Sequence, residues 1–312
     1  MSLIKKAIIS IFDNPIMRGI SKVDSIRKLA FRYVGSEQVD DIFIQKMQNL
    51  INQGYRITIS LLGEQYNNSE KVQKYIQNLN EIINKVSMLN NISISVKLSA
   101  LGILLEENIC KQNLKNILDS CNNRIHIDME NSVLIDSTLN IFDFFRKELK
   151  YNNLDITFQA YLYRTMKDID DRILSFDWDS KPIVRLCKGA YKEPFDKILP
   201  SKSKIDENYY NIAVKLLDNI SKVYPAFATH DHKLIEKIKN YCQYKGISRD
   251  DFEFQMLYGV RQDLQKKIIE QGYNLRIYIP VGSEWYEYFV RRLAEKPSNL
   301  LLLFYSLVKY EK

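Results

Sequence analysis

Eight short apolar runs, alternating with longer amphipathic stretches, limit what this sequence can fold into more than any other feature. Short runs rich in β-branched residues predict strands, and apolar residues three or four positions apart predict helices. The predicted strands are 56–62, 92–98, 124–129, 155–160, 182–187, 225–229, 252–256 and 275–279. The predicted helices between them include 70–89, 109–120, 134–149, 205–223, 233–244 and 260–272.

Strands that alternate with helices predict an α/β fold with a parallel sheet. Eight such units in 312 residues match the count and size of a (βα)8 TIM barrel. A doubly wound open sheet is the alternative, but its usual glycine-rich first turn is absent, because neither GxGxxG nor GxxxxGK[ST] occurs. We therefore predict a catalytic barrel over 51–312, with an N-terminal helical segment, 1–50, packed on it.

Composition excludes few classes of protein. The net charge of +7 is spread along the chain and is compatible with anionic lipid, nucleic acid or simple solubility. The 4 cysteines form no CxxC pair, which argues against a structural metal or a disulfide framework and favours a reducing, cytoplasmic compartment. We find no secretory signal at the start, and we interpret the longest apolar run, 300–308, as a buried helix rather than a membrane span.

Polar residues are concentrated where the predicted strands end. In a barrel of this kind the carboxyl ends of the strands carry the chemistry. Buried polar groups cost stability unless they are satisfied, so a ring of them predicts a polar ligand. The residues are Lys97, Ser99, Asp128, Glu130, Gln159, Arg185, Lys188, Thr229, His230, Asp231, Glu253, Gln255 and Tyr278.

The segment 275–295 predicts a strand, a turn and a helix with Ser283 as its N-cap. Helical spacing lets Tyr288, Arg291, Arg292 and Glu295 project together. Two adjacent guanidiniums suit a carboxylate or a phosphate, and an aromatic neighbour suits the apolar part of a small anion. A solvated basic helix face is the alternative interpretation.

Each strand residue also has an alternative that needs no ligand. Lys97 suits a carboxylate or a cofactor oxygen, or it extends into water. Asp128 could balance the cations, or cap the helix that follows. His230 suits a cofactor hydrogen bond, or a bond to a neighbouring Asp in the core. Arg185, charged inside an apolar strand, should face a carboxylate, a phosphate or an electron-rich ring atom.

Two further patterns favour a bound cofactor. The small residues at 188–191 leave a gap where a planar ring could approach the backbone, and Glu253 and Gln255 share one strand face. No Ser-His-Asp order, Cys-His pair, carboxylate pair or metal-ligand set stands out. Chemistry without an obvious nucleophile or metal indicates a cofactor that performs it.

Together these segments resemble proline dehydrogenase, a flavoenzyme family that oxidises L-proline. The size resembles the monofunctional bacterial type. The matching pieces, in chain order, are 61–64 (LLGE), 95–99 (SVKLS), 159–162 (QAYL), 185–191 (RLCKGAY), 228–230 (ATH), 252–259 (FEFQMLYG) and 276–280 (RIYIP) through 291–295 (RRLAE).

The resemblance implies a distorted barrel that holds FAD noncovalently, with the last helix over its mouth. It implies that Arg291, Arg292 and Lys97 bind the proline carboxylate, and that Tyr278 and Tyr288 wall the ring. It further implies that Asp128 holds the cations in place, that Glu295 pairs with an arginine and that Arg185 lies near the flavin N5. The residues implied to line FAD are Gln159, Lys188, Gly189, Ala190, Tyr191, Thr229, His230, Glu253 and Gln255.

The family product is Δ1-pyrroline-5-carboxylate, and the implied electron acceptor is a membrane quinone. The basic excess fits peripheral docking on the inner face of the membrane, and we expect no nucleic-acid partner. Three residues depart from the family pattern: Ser60 replaces an acid, Cys187 a valine and Asp231 an asparagine. The alternatives are a flavin barrel that reduces another small substrate and a non-catalytic basic barrel that binds RNA or serves as a scaffold.

Overall fold

The computed structural model describes residues 27, 28 and 30–295, with side chains described as far as residue 290. Eight parallel strands close into a barrel in chain order, which confirms the predicted fold. The last strand returns to pair with the first, Ile277 opposite Ile57. The strands are β1 (Arg56–Leu61), β2 (Ile92–Val96), β3 (Arg124–Ile127), β4 (Leu154–Gln159), β5 (Ile183–Cys187), β6 (Tyr224–Ala228), β7 (Glu253–Leu257) and β8 (Leu275–Val281).

Helices surround the strands and connect each to the next. They are α1 (Asp41–Asn52), α2 (Ser69–Val86), α3 (Glu107–Ser120), α4 (Ile135–Asp143), α5 (Thr165–Ile169), α6 (Lys202–Leu217), α7 (His232–Lys245), α8 (Gln262–Glu270) and α9 (Trp285–Glu295). Helices α4 and α5 each continue into one π-helical turn, Phe144–Glu148 and Asp170–Leu174. The short α5 was not predicted, because five residues followed by a π turn do not sustain a 3.6-residue period.

Polar side chains fix where several helices begin. Asp40 accepts a hydrogen bond from the Phe43 backbone N–H (2.8 Å), and Asp231 does the same for Lys233 (3.1 Å). Such caps satisfy amide groups that have no partner within the helix. Asp231 therefore ends the loop after β6 at a defined point.

Helix α1 confirms the helical prediction for the end of the N-terminal segment. Phe43 and Met47, four residues apart, are buried, whereas Ile42 is 76% exposed. The buried stripe of this helix therefore passes through Phe43 and Met47. Residues 1–26 and the apolar run 300–308 lie outside the described residues.

The inside of the barrel is polar at its amino-terminal end. Glu253, fully buried, accepts hydrogen bonds from Arg276 Nε (2.6 Å) and Arg56 Nη1 (3.0 Å), and Arg124 pairs with Asp155. Burial raises the pKa of Glu253, but Arg276, Arg56 and the hydrogen bond from Gln255 together outweigh it and the pKa is lowered. We call the group formed by Arg56, Arg124, Asp155, Glu253 and Arg276 the base cluster.

The base cluster corrects one site prediction. Glu253 was expected to line a cofactor at the mouth, but it is the first residue of β7 and therefore lies at the opposite end of the strand. Its carboxylate already accepts bonds from two guanidiniums and from Gln255 Nε2 (2.7 Å). Glu253 closes the bottom of the barrel.

Substitution of two glycines with similar φ angles can test how tightly the segment before α1 packs on the barrel. Gly259 (φ +72°) and Gly246 (φ +68°) are both left-handed. A Cβ on Gly259 would lie 1.6 Å from the Arg32 carbonyl oxygen, whereas one on Gly246 would meet nothing within 4 Å. We expect G246A to lower the free energy of unfolding by about 1 kcal/mol and G259A by at least about 2 kcal/mol more. Urea unfolding measures both, and equal losses would contradict the contact.

Candidate active site

Arg185 occupies the centre of the barrel. Its Nη1 donates to Ser95 Oγ (3.0 Å) and to Asp128 Oδ1 (2.6 Å), and its Nε donates to Gln255 Oε1 (2.6 Å). These acceptors follow or belong to β2, β3 and β7, so the guanidinium, carried by β5, spans the interior. Its side chain is only 4% exposed. Charge inside the strand therefore faces a carboxylate, one of the partners expected from the sequence.

Asp128 joins four side chains at the mouth of the barrel. Besides Arg185, it accepts from Ser95 Oγ (2.6 Å), from the Tyr278 hydroxyl (2.6 Å) and from Lys97 Nζ (3.4 Å). Burial raises the pKa of Asp128, but Lys97 and Arg185 lower it further than burial raises it. The carboxylate is anionic and organises the cations around it. We call the group formed by Ser60, Ser95, Lys97, Asp128, Arg185 and Tyr278 the mouth cluster.

Tyr278 stands between the charged groups and Ser60. Its hydroxyl lies 2.8 Å from Ser60 Oγ, and the Arg185 guanidinium lies 5.3 Å from the centre of its ring. Burial and the Asp128 charge raise the pKa of Tyr278 to about 12, so the phenol keeps its proton. Ser60 can donate to the phenol oxygen while the phenol donates to Asp128; an ionised acid at position 60 has no proton to donate.

One donor of the mouth cluster has no acceptor in the protein. Arg185 Nη2 is buried and makes no hydrogen bond within the structure. A buried charged donor without a partner costs stability, and native proteins leave few of them. This atom suits an acceptor on the edge of a bound ligand, such as an electron-rich ring atom, and the donor therefore fits a flavin.

The two glutamines predicted to line a cofactor use their amides within the protein. Gln255 bridges Glu253 and Arg185, and Gln159 Nε2 donates to the Glu130 carbonyl (2.7 Å). Both side chains are buried. The structure thus shows them holding neighbouring strand ends in position.

Lys188 lies in a salt bridge at the rim. Its ammonium pairs with Asp206 and with Asp231 (2.9 Å). Burial raises the pKa of Asp231, but the hydrogen bond and charge of Lys188 outweigh it and the pKa falls to about 2. The unexpected acid at position 231 therefore has a cationic partner.

Thr229 and His230 are tied to neighbouring backbone. His230 Nε2 accepts from the Leu257 N–H (2.9 Å), which puts the proton of a neutral imidazole on Nδ1. Thr229 Oγ1 accepts from the Asp231 N–H (3.1 Å).

Tyr161 closes one side of the small-residue segment 188–191. Gly189 (φ +109°) lies against the Tyr161 ring, and a Cβ there would come within 2.1 Å of it. Ala190 is exposed, and the Tyr191 hydroxyl donates to Glu64 Oε2 (3.2 Å). The approach of a planar ring to this segment stays a prediction.

Sequence analysis gave no individual role to two buried groups beside the cluster. Glu130 accepts from the Ser99 N–H (2.9 Å) and is 1% exposed. Its place directly after the predicted strand 124–129 was the available signal. His126 is fully buried, and burial together with Arg185 lowers its pKa well below the usual range, so its imidazole is neutral.

The expected arginine pair lies on helix α9, which follows β8 after a short turn. The side chains of Arg291, Arg292 and Glu295 lie outside the described part of the structure. Tyr288, earlier in the helix, is half-buried. Across the described residues we find no group of His, Cys, Asp and Glu arranged to hold a metal ion. Likewise, none of the described helices has the length and apolar character to cross a membrane.

The charge of Asp128 should make stability depend on pH. Its pKa is lowered in the folded state, so it stabilises the fold above the unfolded-state pKa of about 3.9 and loses that effect as pH falls. D128N should be less stable than the wild type above about pH 5, by about 3 kcal/mol, because it leaves the buried Arg185 and the half-buried Lys97 without a carboxylate partner. The difference in the free energy of unfolding between D128N and the wild type should become smaller toward pH 2. Urea unfolding across this range measures it, and a constant gap would contradict an ionised Asp128.

Comparison with known proteins agrees with the geometry. The sequence model of a family described as Proline dehydrogenase matches residues 43–301. Proline dehydrogenase 2 of Bacillus subtilis (strain 168) is 40% identical over 271 residues, 85% of this chain and 86% of that protein. Proline dehydrogenase of Deinococcus radiodurans is 32% identical over 314 residues, 98% of each chain.

Solved structures show the same fold. The crystal structure of proline utilization A (PutA) from Bdellovibrio bacteriovorus inactivated by N-propargylglycine has a TM-score of 0.78 at 24% identity, and this likeness bears on the fold alone. The match covers 89% of this chain but only 33% of that longer protein. On the family match and the relatives of similar length, this chain belongs to the proline dehydrogenase family of enzymes.

Proposed function

We propose that this chain oxidises L-proline to Δ1-pyrroline-5-carboxylate with FAD held at the mouth of the barrel, as the first step of proline catabolism. The relatives named proline dehydrogenase support the substrate. The observation that carries the cofactor is the buried, unpaired Nη2 of Arg185 inside the mouth cluster. A flavin edge would supply the acceptor that this donor lacks.

Lys97 would help to bind the substrate carboxylate. Burial lowers the pKa of Lys97, but Tyr278 and Asp128 raise it well above its usual value, so the ammonium stays charged. Helix α9 would add Arg291 and Arg292 as the other two cations. Charge-assisted hydrogen bonds of this kind contribute about 1.5–3 kcal/mol each.

The other site residues would orient the reactants. Oxidation removes a hydride from C5 of proline and a proton from its nitrogen, leaving a C=N bond. The chemistry that a bound FAD would supply is acceptance of this hydride. Tyr278 and Tyr288 would pack against the proline ring, and Asp128 would hold Lys97 and Arg185 in position. Binding of the carboxylate would keep C5 in one place, and such positioning supplies much of the catalysis.

We also propose that Gln159, Lys188, Thr229, His230 and Gln255 shape the cofactor site. Their bonds within the protein support a role in holding the strand ends rigid around it. Gly189, Ala190 and Tyr191 would border the same site from the loop after β5. Glu295 would pair with an arginine of α9.

Reduced cofactor must give up its electrons, and we propose a membrane quinone as acceptor. The net charge of +7 supports transient docking of a cytoplasmic protein on an anionic inner membrane face.

Anaerobic titration tests the proposal directly. The purified protein should be yellow, bleach when L-proline is added without oxygen, and regain colour with a quinone analogue. Hydroxyproline in place of proline reports how narrow the substrate range is. Bleaching by NADH but not by proline would instead indicate a barrel reductase, and a colourless protein that cannot be loaded with FAD would reject the flavin.

The carboxylate clamp can be tested by charge removal. R292M should raise the dissociation constant for proline at least about tenfold, because it removes one charge-assisted contact, and K97M should do so more mildly. K245M removes an exposed lysine on the outside of the barrel and serves as the control. Flavin content should be unchanged in all three. Ordinary proline affinity in R292M would reject the clamp.

Activity should rise with pH. The proline nitrogen needs its lone pair for hydride to leave, so only the neutral amine reacts. Lys97 and Tyr278 have raised pKa values and Asp128 a lowered one, so these three side chains keep their charges while the amine loses its proton. The ratio kcat/KM should increase about tenfold per pH unit across the neutral range. A flat profile would contradict a requirement for the free amine.

A further inference from the structure

We propose that Tyr66 and Glu284 form a positioning pair that sets the direction of helix α9 over the barrel mouth. The inference rests on the proposed function, because it concerns how the arginines of α9 reach the substrate. Neither residue is assigned a contact with substrate or cofactor. Their effect would pass through the helix.

The bond between them joins two loops at the mouth. The Tyr66 hydroxyl, in the loop between β1 and α2, donates to Glu284 Oε1 at 2.7 Å. Glu284 immediately precedes α9, and Arg291 and Arg292 follow seven and eight residues later. At 1.5 Å per residue they lie about 10–12 Å along the helix, so a small rotation at Glu284 displaces them by a larger distance.

Tyr66 is itself anchored to the strand ends. Its backbone N–H donates to the Ser99 carbonyl (3.1 Å), and the Gln65 N–H donates to Ser99 Oγ (2.8 Å). The Ser99 N–H donates in turn to Glu130 (2.9 Å). Glu130 lies two residues after Asp128. Hydrogen bonds thus lead from the end of β3, beside the mouth cluster, to the start of α9.

The ring of Tyr66 has little freedom to move. A Cβ on Gly63 (φ +149°) would lie 2.4 Å from the Tyr66 hydroxyl oxygen, so the side chain folds closely over that glycine. The ring also packs edge-on against Tyr75, with centroids 5.9 Å apart. Tyr66 is 8% exposed. A donor held this firmly can orient the group to which it binds.

Apolar contacts hold another side of α9. The Trp285 ring packs on Phe31 at 5.6 Å, and Phe289 is fully buried. Beside the pair, a groove of about 520 Å³ separates α2 from the turn before α9, and both Tyr66 and Glu284 line it. Apolar packing is not directional, whereas a hydrogen bond is. The bond across this groove would therefore fix the angle of the helix.

The pH dependence of substrate binding can distinguish a positioning role of Tyr66 from a role in proton transfer. Burial, together with the bond to Glu284, raises the pKa of Tyr66 above its usual range. The phenol therefore remains a donor through any ordinary assay. Loss of the pair should weaken substrate binding equally at every pH, unlike loss of a group that transfers protons.

The experiment compares Y66F, E284A, E284Q and the double variant Y66F/E284A in the flavin-loaded protein. We expect Y66F and E284A each to raise KM for proline about tenfold, with kcat changed less than about twofold. E284Q keeps an oxygen that can accept the Tyr66 hydrogen bond, so its KM should rise less than that of E284A. The double variant should be no worse than Y66F, because both changes remove one bond.

Y241F is the matched control, since it removes a similar bond from Tyr241 to Asp218 (2.6 Å) on the outside of the barrel. It should leave KM unchanged. Hydrogen exchange of the peptide 285–295, which needs no activity, should accelerate in Y66F and not in Y241F. The shape of the pH profile should be the same in Y66F as in the wild type.

The outcomes separate this inference from the proposed function. If the wild type does not oxidise proline, the proposed function fails, and faster exchange in Y66F would still support the positioning pair. Unchanged exchange in Y66F overturns the pair whether or not KM rises, because a rise alone would mean that Tyr66 acts on the substrate directly. If the increases in KM from Y66F and E284A were additive in the double variant, this would also overturn the positioning pair.

Discussion

The ion pair between Arg185 and Asp128 is the interaction on which the site depends. An arginine cannot shed its proton to enter the barrel, so a carboxylate must accompany it, and Asp128 lies 2.6 Å away. Apolar side chains of similar volume commonly stabilise an interior as well as a buried ion pair does. Stability alone therefore gives little reason for this pair. The unpaired Nη2 of Arg185 gives another reason for the ion pair, because the pair holds a charged donor in a fixed position where a ligand could accept its hydrogen bond.

The two ends of the barrel show how a structural ion-pair group differs from a functional one. In the base cluster, Glu253 and Asp155 are fully buried and bind Arg276, Arg56 and Arg124, so each buried acid has a cationic partner. In the mouth cluster, one carboxylate likewise serves two cations, Arg185 and Lys97. Both clusters have one cation more than carboxylates, so the feature that distinguishes the mouth cluster is the unpaired Nη2 of Arg185. A small amino acid with a carboxylate would balance the charge, and a flavin would accept the bond.

Local sequence patterns were sufficient for the strands but not for the interior of the barrel. Eight runs of β-branched residues set the strands and their order, because each run must be buried and each amphipathic stretch must cover it. Alternation also put Glu253 and Gln255 on one face correctly. The error was to place Glu253 at the mouth, because it is the first residue of β7 and the ion pairs that hold it at the other end come from residues distant in sequence. The packing of Tyr161 against Gly189 is a contact between distant segments that no local pattern encodes.

Two of the three residues expected to depart from the family pattern, Ser60 and Asp231, affect the charge around the mouth, and both have hydrogen-bond partners. Ser60 bonds to Tyr278, and Asp231 caps α7 and pairs with Lys188. A serine at position 60 removes an acid from the mouth cluster, while Asp231 adds one at the rim, where a lysine neutralises it. Asp128 is the carboxylate that Arg185 and Lys97 share. An acid at position 60 would lie beside the Tyr278 hydroxyl and compete with a substrate carboxylate for these cations, so a serine there would favour binding of an anionic substrate.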